Sequence, residues 1–557
     1  MIYETTITIL PEEENNKTLI ENKILKQLSI KNKSSVNAFV LKKKSIDARK
    51  GKIKFHLKYS VYVGENPEQE KFIPKWKTVN SNKKVVIVGS GPAGLFAALQ
   101  LLEFGIKPIV IERGSRTSKR KVDIAKISTT GIVDENSNYC FGEGGAGTFS
   151  DGKLFTRSNK RGDISKILSI FHYHGADEKI LSDAHPHIGS DKLPKIINNM
   201  IDTIIKFGGE VYFDKICTDL ILEKDEKNNF ITKGIICIDS NEKNIIQKIY
   251  SDAVILATGH SATDIYKMIY DCCCNNNLEV DKVLQEKTFA VGVRVEHPRQ
   301  VIDKIQYHGK ERTENLGAAE YRLTTQVDER GVYSFCMCPG GLVVPSSSGK
   351  EEIVVNGMSP SSRNSKWSNS AIVVEVRPED AKEILQKNKI DDNENLLSTL
   401  NFRTYLEKLT YQNGNGIKAP AQKLIDFIEE RKTNTFPETS YTPGLISSRL
   451  DLWLPDFIKS RLQKAFKKFN ENMKGFICDE AILIASETRT STPIRILRDK
   501  ETMESPVIKN LYPAGEGSGY SGGIVSSAMD GENVAKKISA NFIINNLTLY
   551  INNDTLY

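Results

Sequence analysis

The stretch from Val85 to Gly114 constrains the fold of this 557-residue chain more than any other. Four consecutive apolar residues, Val85 to Val88, favour a parallel strand that is buried on both faces. Three glycines follow with Gly-x-Gly-x-x-Gly spacing. Gly89 permits a sharp turn, Gly91 leaves room for a pyrophosphate, and Gly94 permits close packing of a helix. The pattern indicates a nucleotide-binding β-α-β unit.

The rest of this unit fits the same interpretation. A helix is predicted from Pro92 to Glu103, and the N–H groups and positive dipole end at its N-terminus favour bound phosphate. A second strand, Ile109 to Ile111, ends at Glu112, where a carboxylate can accept hydrogen bonds from ribose hydroxyls and disfavours a 2′-phosphate. The motif alone leaves open whether the ligand is FAD or NAD. A glycine-rich turn in an ordinary βα loop is the alternative.

Length and composition suit a protein of two or three domains. No uninterrupted apolar segment approaches the ~20 residues of a membrane span, and the N-terminus carries early acids without a basic leader pattern. We therefore expect a cytoplasmic protein with no membrane span. Nine cysteines suggest no disulfide scaffold and no spaced metal ligands, so we expect no metal. Cys336 and Cys338 form a C-x-C pair, and we interpret the cysteines as reduced structural thiols.

The net charge of +7 is concentrated at the N-terminus, where residues 1–80 contain 15 lysines and one arginine against nine acidic residues. This excess suits an anionic partner such as RNA, a membrane surface or an acidic protein, although lysine-rich coding bias explains it as well. The pattern predicts a small α+β domain without the aromatic signature of an RNA-recognition module. Its expected elements are strands at Thr5–Leu10, Ser35–Leu41 and Ile53–Val63 around a turn at Lys50–Gly51, a helix at Lys17–Leu28, and a polar linker to about Lys84.

A second glycine-rich segment, Gly142 to Gly152, has five glycines in eleven positions. Such a loop brings backbone close to a ligand, and Lys153 would add a positive charge nearby. A mobile surface loop is the alternative. The residues expected to direct N–H groups at phosphate or ring edges are Gly144, Gly145, Ala146, Gly147 and Thr148.

Six later segments have patterns typical of helices or strands. A helix is predicted at Leu193–Phe207, and strands at Glu210–Glu223 and Phe230–Ile238. Ala253 to Ala257 predicts a second buried strand, after which Thr258 and Gly259 allow backbone to abut a cofactor. Near the C-terminus the pattern predicts a strand at Leu511–Ala514, a carboxylate at Gly515–Glu516, and a helix from Gly522–Gly523 to about Ile538.

Residues 287–472 change character to mixed strands and polar loops, and we expect them to form the substrate domain. Arg294, Glu296 and His297 form a charged cluster in this region. Trp453 to Phe469 predicts a helical hairpin at its end.

Together, eight segments of the chain resemble the uncharacterised FAD-dependent dehydrogenase (NAD(P)/FAD-dependent oxidoreductase) family. They are GSGPAG with Glu112, GEGGAGTFSDGKL, ILATGHS, VGVRVEHP, CMCPGG, NGMSPSSRNS, ETRTS and YPAGEGSGYSGGI. This family sits among flavoproteins of the second glutathione-reductase type. The resemblance covers nearly the whole chain and implies non-covalent FAD at Gly89 to Glu112, although Gly515–Glu516 replaces the commoner Gly-Asp. The expected cofactor contacts are Gly89, Ser90, Gly91, Pro92, Ala93, Gly94, Glu112, Arg113, Gly145, Ala146, Gly147, Thr148, Thr258, Gly259, Gly515, Glu516, Gly522, Gly523 and Ile524.

The expected fold is an α/β Rossmann-like FAD-binding domain with an inserted α+β substrate domain and a small N-terminal α+β domain. The predicted boundaries are 1–80 for the small basic domain, 81–286 and 473–545 for the two parts of the FAD-binding domain, 287–472 for the substrate domain, and 546–557 for a tail.

The expected activity is that of an FAD-dependent oxidoreductase that passes a hydride between a small-molecule substrate and flavin N5. No second dinucleotide motif is present, so NAD(P)H is expected only as a transient reductant. A flavoprotein that acts on RNA through the basic domain and a non-enzymatic redox sensor are the alternatives. Five residues are candidates for orienting an anionic substrate or moving a proton: Lys153, His260, Arg294, His297 and Arg489.

Overall fold

The computed structural model describes residues 1–49, 51–67, 72–156, 161–242, 244–309, 312, 315–390 and 396–554, with side chains up to residue 544. Its strands are β1 (Ile2–Ile9), β2 (Val36–Asp47), β3 (Lys54–Val63), β4 (Lys84–Val88), β5 (Lys107–Ile111), β6 (Glu210–Tyr212), β7 (Lys215–Lys224), β8 (Phe230–Asp239), β9 (Ile246–Tyr250), β10 (Ala253–Leu256), β11 (Leu284–Glu286), β12 (Phe289–Pro298), β13 (Thr324–Val327), β14 (Arg330–Cys338), β15 (Leu342–Pro345), β16 (Val355–Met358), β17 (Trp367–Val376), β18 (Ala419–Lys423), β19 (Leu445–Ser447), β20 (Ile482–Glu487), β21 (Ile494–Ile496), β22 (Ile508–Lys509) and β23 (Leu511–Pro513). Its α-helices are α1 (Lys17–Gln27), α2 (Pro92–Glu103), α3 (Thr117–Thr130), α4 (Ile164–Tyr173), α5 (Leu193–Lys206), α6 (Thr263–Asn275), α7 (Arg299–Gln306), α8 (Pro378–Lys387), α9 (Ser398–Gln412), α10 (Leu424–Ile428), α11 (Leu450–Trp453), α12 (Asp456–Asn472) and α13 (Ile524–Asp554).

The N-terminal module is an antiparallel sheet in the order β1-β3-β2 with α1 packed on it. Its strands run longer than predicted, from Ile2 in β1 and to Asp47 in β2, and Lys50 of the predicted turn lies outside the described residues. The buried side chains of Ile7 and Phe55 belong to a hydrophobic core that continues into the seven-stranded sheet described below. The module therefore shares its core with the rest of the protein.

Several basic residues of this module are paired within the module itself. These pairs reduce the charge that an anionic partner would meet, because each lysine is offset by a neighbouring carboxylate. The pairs are Lys23 with Glu13, Lys33 with Glu21, Lys44 with Glu14, and Lys58 with Glu4.

The segment predicted as a free polar linker is packed against the nucleotide-binding domain over its described part. The Trp76 ring is 7 % exposed, and its centroid lies 5.5 Å from that of Tyr173 and 6.1 Å from that of Phe207. The Val79 backbone N–H donates to the Phe207 carbonyl at 2.9 Å. An aromatic anchor therefore fixes the path into β4.

The central sheet has the order β23-β10-β4-β5-β6, and every pair is parallel. Val85 and Ile87 of β4 face one hydrophobic core, shared with α2 and α13, and Val86 and Val88 face another, shared with α6 and β8. This two-sided burial explains the unbroken apolar run and confirms the predicted Rossmann-like unit. In register, Val88 lies opposite both Ile111 and Leu256, so these strands end at one edge of the sheet.

The single strand predicted at Glu210–Glu223 is wrong. The chain breaks at Asp214, which has φ +56°, so that β6 ends the parallel sheet and β7 pairs with β8 in a separate sheet. Alternating side chains continue across the break, and alternation alone carries no signal of a change of sheet.

The seven-stranded sheet has the order β13-β14-β17-β12-β20-β18-β19. Its strand β20 is wholly buried and pairs with β12, so this sheet extends beyond residue 472, where the predicted domain boundary fell. The helical hairpin predicted at Trp453–Phe469 is wrong as well. Pro455 separates the one-turn helix α11 from the single long helix α12.

The C-terminal helix is longer than predicted. It begins after Gly523 as expected, but α13 runs past Ile538 and through the predicted tail to Asp554, and residues 555–557 lie outside the described residues. Within the described ranges, no helix combines the length and apolar character needed to cross a bilayer.

Candidate functional site

The edge where the parallel strands end forms a glycine-lined cradle. Gly89 turns the chain after β4 with φ +105°, and a Cβ there would lie 2.4 Å from the Ala257 carbonyl oxygen. Gly91 is the N-cap of α2 and has no side chain to bond the first-turn N–H groups of the helix. Such N–H groups, together with the helix dipole, favour a phosphate ligand.

The Glu112 carboxylate ties three loops together at this edge. It is 5 % exposed and accepts hydrogen bonds from the Ser90 N–H at 3.0 Å, the Ser90 hydroxyl at 2.7 Å, and the Gly114 and Gly142 N–H groups at 3.0 Å each. Glu112 also lines the cavity next to the cradle. Four protein donors occupy the carboxylate, so its first role is to hold the loops, beyond the ribose contact predicted from sequence.

The second glycine-rich segment lies directly over the first. A Cβ at Gly145 would lie 3.0 Å from the Gly91 Cα, and a Cβ at Gly147 would lie 3.4 Å from the Ile524 side chain. The Gly144 N–H donates to the Ser90 hydroxyl at 3.2 Å. The segment therefore packs against the first one and lines the same cavity.

A cavity with about 1340 Å³ of empty space, part of which is open to solvent, runs through these elements. Fifteen of the predicted cofactor contacts line it: Gly89, Gly91, Pro92, Ala93, Glu112, Arg113, Gly145, Ala146, Gly147, Thr258, Gly259, Glu516, Gly522, Gly523 and Ile524.

The residues present fit FAD by a criterion independent of the motif. A Cβ at Gly522 would meet no atom within 4 Å, and a Cβ at Gly91 would meet only the Gly145 Cα, at 3.9 Å. Neither glycine has a positive φ, so neither packing nor backbone conformation requires glycine there. The open space beside them, with the uncapped start of α2, is what a dinucleotide diphosphate requires.

Four predicted cofactor contacts do not line the cavity. Gly94 lets α2 pack on the turn, because a Cβ would lie 2.0 Å from the Gly89 carbonyl oxygen, and the Gly515 N–H donates to Asp530 at 2.7 Å. The Ser90 hydroxyl donates to Glu112, and the Thr148 hydroxyl donates to the Glu143 carbonyl at 2.8 Å. These four residues therefore support the walls of the cavity without lining it.

Two of the five predicted catalytic residues, His260 and Arg489, line the cavity. The His260 Nδ1 lies 3.5 Å from a Glu516 carboxylate oxygen, and its ring is 11 % exposed. The Arg489 guanidinium lies 2.9 Å from a Glu407 oxygen and 3.3 Å from Glu352. These carboxylates outweigh burial and hold the pKa of Arg489 above its ordinary value.

Lys153, Arg294 and His297 are not among the residues that line this cavity, and each of them is bonded to other groups of the protein. Lys153 donates to the Met337 carbonyl, and Arg294 is fully buried against Glu487 at 3.0 Å. His297 is also fully buried, with Nε2 2.7 Å from the Phe476 carbonyl oxygen. Burial lowers the pKa of His297 to about 4.

Two site residues were missed from the sequence. Arg120 is fully buried and donates to the carbonyls of Asn138, Glu143 and Tyr139, so it fixes the start of the glycine-rich segment. Its place in the lysine-rich helix α3 gives no local signal. Cys336, interpreted as a structural thiol, lines the cavity, and its C-x-C motif between polar loops was the available signal.

Fold and site together define an FAD-binding protein. Residues 82–130 match the model of an FAD binding domain, residues 288–490 match that of an FAD-dependent protein, C-terminal domain-like, and residues 1–62 match a domain of unknown function. An uncharacterized protein of Clostridium beijerinckii is 37% identical over 553 residues, which cover 95% of this chain and 97% of the relative. The chain belongs to the family of FAD-dependent proteins that includes this relative, and FAD is its cofactor.

Solved structures resemble the chain only distantly. A geranylgeranyl bacteriochlorophyll reductase-like protein from Thermoplasma acidophilum is 12% identical with a TM-score of 0.31, over 83% of this chain and 80% of that one. The flavin-dependent halogenase CmlS is 12% identical with a TM-score of 0.33, over 83% and 58%. At these scores the likeness identifies neither the reaction nor the substrate.

Proposed function

We propose that this protein is an oxidoreductase that passes a hydride between a small-molecule substrate and flavin N5. When bound, FAD supplies a two-electron centre that takes up or returns the hydride. The supporting observation is that one cavity has walls from both domains. Glycines of the FAD-binding domain line one side, and Phe335, Cys336, Arg489 and Thr490, in or just after strands of the seven-stranded sheet, line the other. A substrate held between these walls would contact the cofactor directly.

His260 is the residue we assign to proton movement. Its ring lines the cavity beside the Glu516 carboxylate, and its backbone is held by Arg403, which donates to the His260 carbonyl at 2.8 Å. An imidazole in this position can exchange a proton with a substrate while the carboxylate orients the ring. Arg489 is occupied by Glu407 and Glu352, which favours a role in holding the sheet wall over binding of a substrate anion.

The electron donor and the setting are also proposals. NADH or NADPH would reduce the flavin by transient docking at the cavity mouth. All nine cysteines are free thiols, which supports action in the reducing cytoplasm. We also assign the protein to the second glutathione-reductase type of flavoprotein, because the Gly89 cradle and the Glu516 segment meet at one cofactor site. The hypotheses of RNA recognition and redox sensing stay predictions.

Anaerobic reduction of the purified FAD-loaded protein tests the function. Absorbance of oxidised flavin would be followed while a metabolite panel, NADH and NADPH are added one at a time. We expect one metabolite or nicotinamide to bleach the flavin. His260→Asn should retain FAD but slow this step by about 10²–10⁴-fold, the usual contribution of a general acid or base.

A matched control is His185→Asn, because His185 is 63 % exposed and is not among the residues that line the cavity. It should reduce at the wild-type rate. FAD that no donor can bleach would overturn the oxidoreductase proposal. Equal rates for the wild-type protein and both variants would instead remove His260 from proton transfer.

A further inference from the structure

The C-x-C pair lies at a strained irregularity in β14. The pairing of β14 with β17 shifts register between Phe335 and Cys338, and Cys336 has φ +45°, a left-handed conformation that residues other than glycine rarely adopt. Cys336 lines the FAD cavity, whereas Cys338 is fully buried. Bulges that re-aim a side chain and backbone strain both concentrate at functional sites.

The two cysteines are close to each other. The Cys338 Sγ donates to the Cys336 carbonyl oxygen at 3.3 Å. Two residues in i and i+2 positions of a regular strand would point the same way with their side chains apart. The bulge between them places the Cys338 thiol against the backbone of Cys336.

Two cations reach the backbone of this pair from different elements. Arg294 of β12 donates to the Cys336 carbonyl at 3.2 Å, and Lys153, directly after the glycine-rich segment, donates to the Met337 carbonyl. The hydrogen bond with Cys338, together with the Arg294 and Lys153 charges, holds the pKa of the Cys336 thiol below its ordinary value and outweighs burial. The same hydrogen bond and burial raise the pKa of Cys338 well above its ordinary value. Positive surroundings of this kind mark reactive cysteines.

We propose that Cys336 and Cys338 form a redox-active dithiol that exchanges two electrons with FAD, with Arg294 and Lys153 as its positioning residues. Such a pair would store reducing equivalents beside the cofactor. The proposal rests on FAD as the cofactor and does not depend on hydride transfer from a small molecule.

The exchange balances without another reactant. The Cys336 thiolate and the Cys338 thiol form a disulfide bond and release two electrons and the Cys338 proton. Oxidised FAD, when bound, would supply the acceptor for both electrons and for that proton. In the reverse direction the disulfide is the oxidant, and its bond breaks to restore one thiolate and one thiol.

A second pair of cysteines on the same cavity provides a natural contrast. Cys217 lines the cavity, and Cys237 lies directly opposite it on the neighbouring strand. Burial raises the pKa of both thiols, and the Cys237 pKa stays raised although Lys215 opposes the shift. Two neighbouring cysteines at the cavity are therefore not enough to lower the pKa of a thiol. The Cys336 pair differs in its cations and its strained backbone.

An anaerobic dithionite titration of the FAD-loaded protein tests the proposal. The protein is first treated with a mild thiol oxidant, which is then removed, and its FAD content is measured. We expect the wild-type protein to take up four electrons per FAD before reduction is complete, two for the flavin and two for the disulfide. Cys336→Ser and Cys338→Ser should each take up two, a twofold loss, whereas Cys237→Ser, which breaks the second pair without altering the cavity lining, should keep all four.

Alkylation followed by mass spectrometry supplies a readout that needs no variant. Before the titration Cys336 and Cys338 should resist alkylation, because they form a disulfide. After the titration both should be alkylated. Wild-type uptake of only two electrons, with both cysteines alkylated throughout, would overturn the redox pair even if a variant fails to fold. Failure of any metabolite to bleach the flavin would count against the hydride proposal alone, because dithionite reduces the flavin directly.

Discussion

Replacement of Gly91 by glutamate is the most direct test of where the FAD diphosphate lies. A Cβ at Gly91 would meet only the Gly145 Cα, at 3.9 Å, so the fold accommodates a side chain there. The new carboxylate would share the open space at the start of α2 with the diphosphate. Two unit charges of like sign about 4 Å apart repel by about 4 kcal/mol at an effective dielectric constant of about 20. This energy corresponds to roughly a thousandfold weaker Kd for FAD.

The assay is titration of apo-protein with FAD, followed by the change in flavin fluorescence. Gly91→Gln is the matched control, because it has nearly the same volume without the charge, and it should bind FAD much more tightly than Gly91→Glu. Equal Kd values for the two variants would refute the placement of the diphosphate at Gly91. Gly94→Ala should behave differently and lose folded protein, because its Cβ would lie 2.0 Å from the Gly89 carbonyl oxygen.

Three further outcomes follow from the contacts. Glu112→Gln should lower the denaturation midpoint and weaken FAD binding, because each loop N–H left without an acceptor costs about 1–3 kcal/mol; an unchanged midpoint would contradict the loop-holding role. His297 stays neutral in the folded protein down to a pKa of about 4, whereas the unfolded chain takes up a proton below about 6.5, so stability should fall as pH drops through this window, by up to about 3 kcal/mol. His297→Gln should flatten this dependence in urea unfolding, and equal slopes would contradict it. Lys42→Glu with Lys43→Glu, both exposed, should abolish any salt-sensitive RNA retention if the basic module binds RNA, and unchanged retention would exclude these lysines.

Point substitutions replace deletion in the RNA test for a structural reason. Ile7 and Phe55 of the N-terminal module are buried in a core shared with the seven-stranded sheet. Removal of residues 1–80 would expose that core, so loss of RNA retention after deletion would report unfolding as readily as recognition.

The β-α-β unit was predictable because its information is local. The apolar run of β4, the glycine spacing and the start of α2 all lie within twenty residues or so, and each follows from backbone sterics or burial. Element boundaries failed where the deciding contact was remote. The turn at Asp214 and the membership of β20 in the seven-stranded sheet depend on strands far away in sequence.

The sequence predicted which chemical groups lie at the site, but it predicted less well which groups each of them bonds. Glu112 was expected to face ribose, yet it accepts four hydrogen bonds from loops, including one from Gly142, thirty residues away. Arg120 has no motif, but its three bonds to carbonyls fix the same region. The sequence shows the chemical group that each side chain carries, whereas the groups that it contacts come together only in the folded protein.

Lys153 and Arg294, which were predicted to be catalytic, also have partners that the sequence did not reveal. Their contacts lie at the boundary between the two domains. Lys153 crosses from the glycine-rich segment to the Met337 carbonyl of β14, and near it Arg363 donates to Asp151 at 2.7 Å. Buried charges are costly unless they are paired, so each of these links holds the sheet wall at a fixed distance from the FAD cradle. Arg294 and Lys153, which bond to the carbonyls of Cys336 and Met337, also lie close enough to the Cys336 thiol for their charges to act on it. Under the proposed electron exchange between Cys336 and FAD, Lys153 and Arg294 would act on the cofactor through Cys336 without lining the cavity themselves.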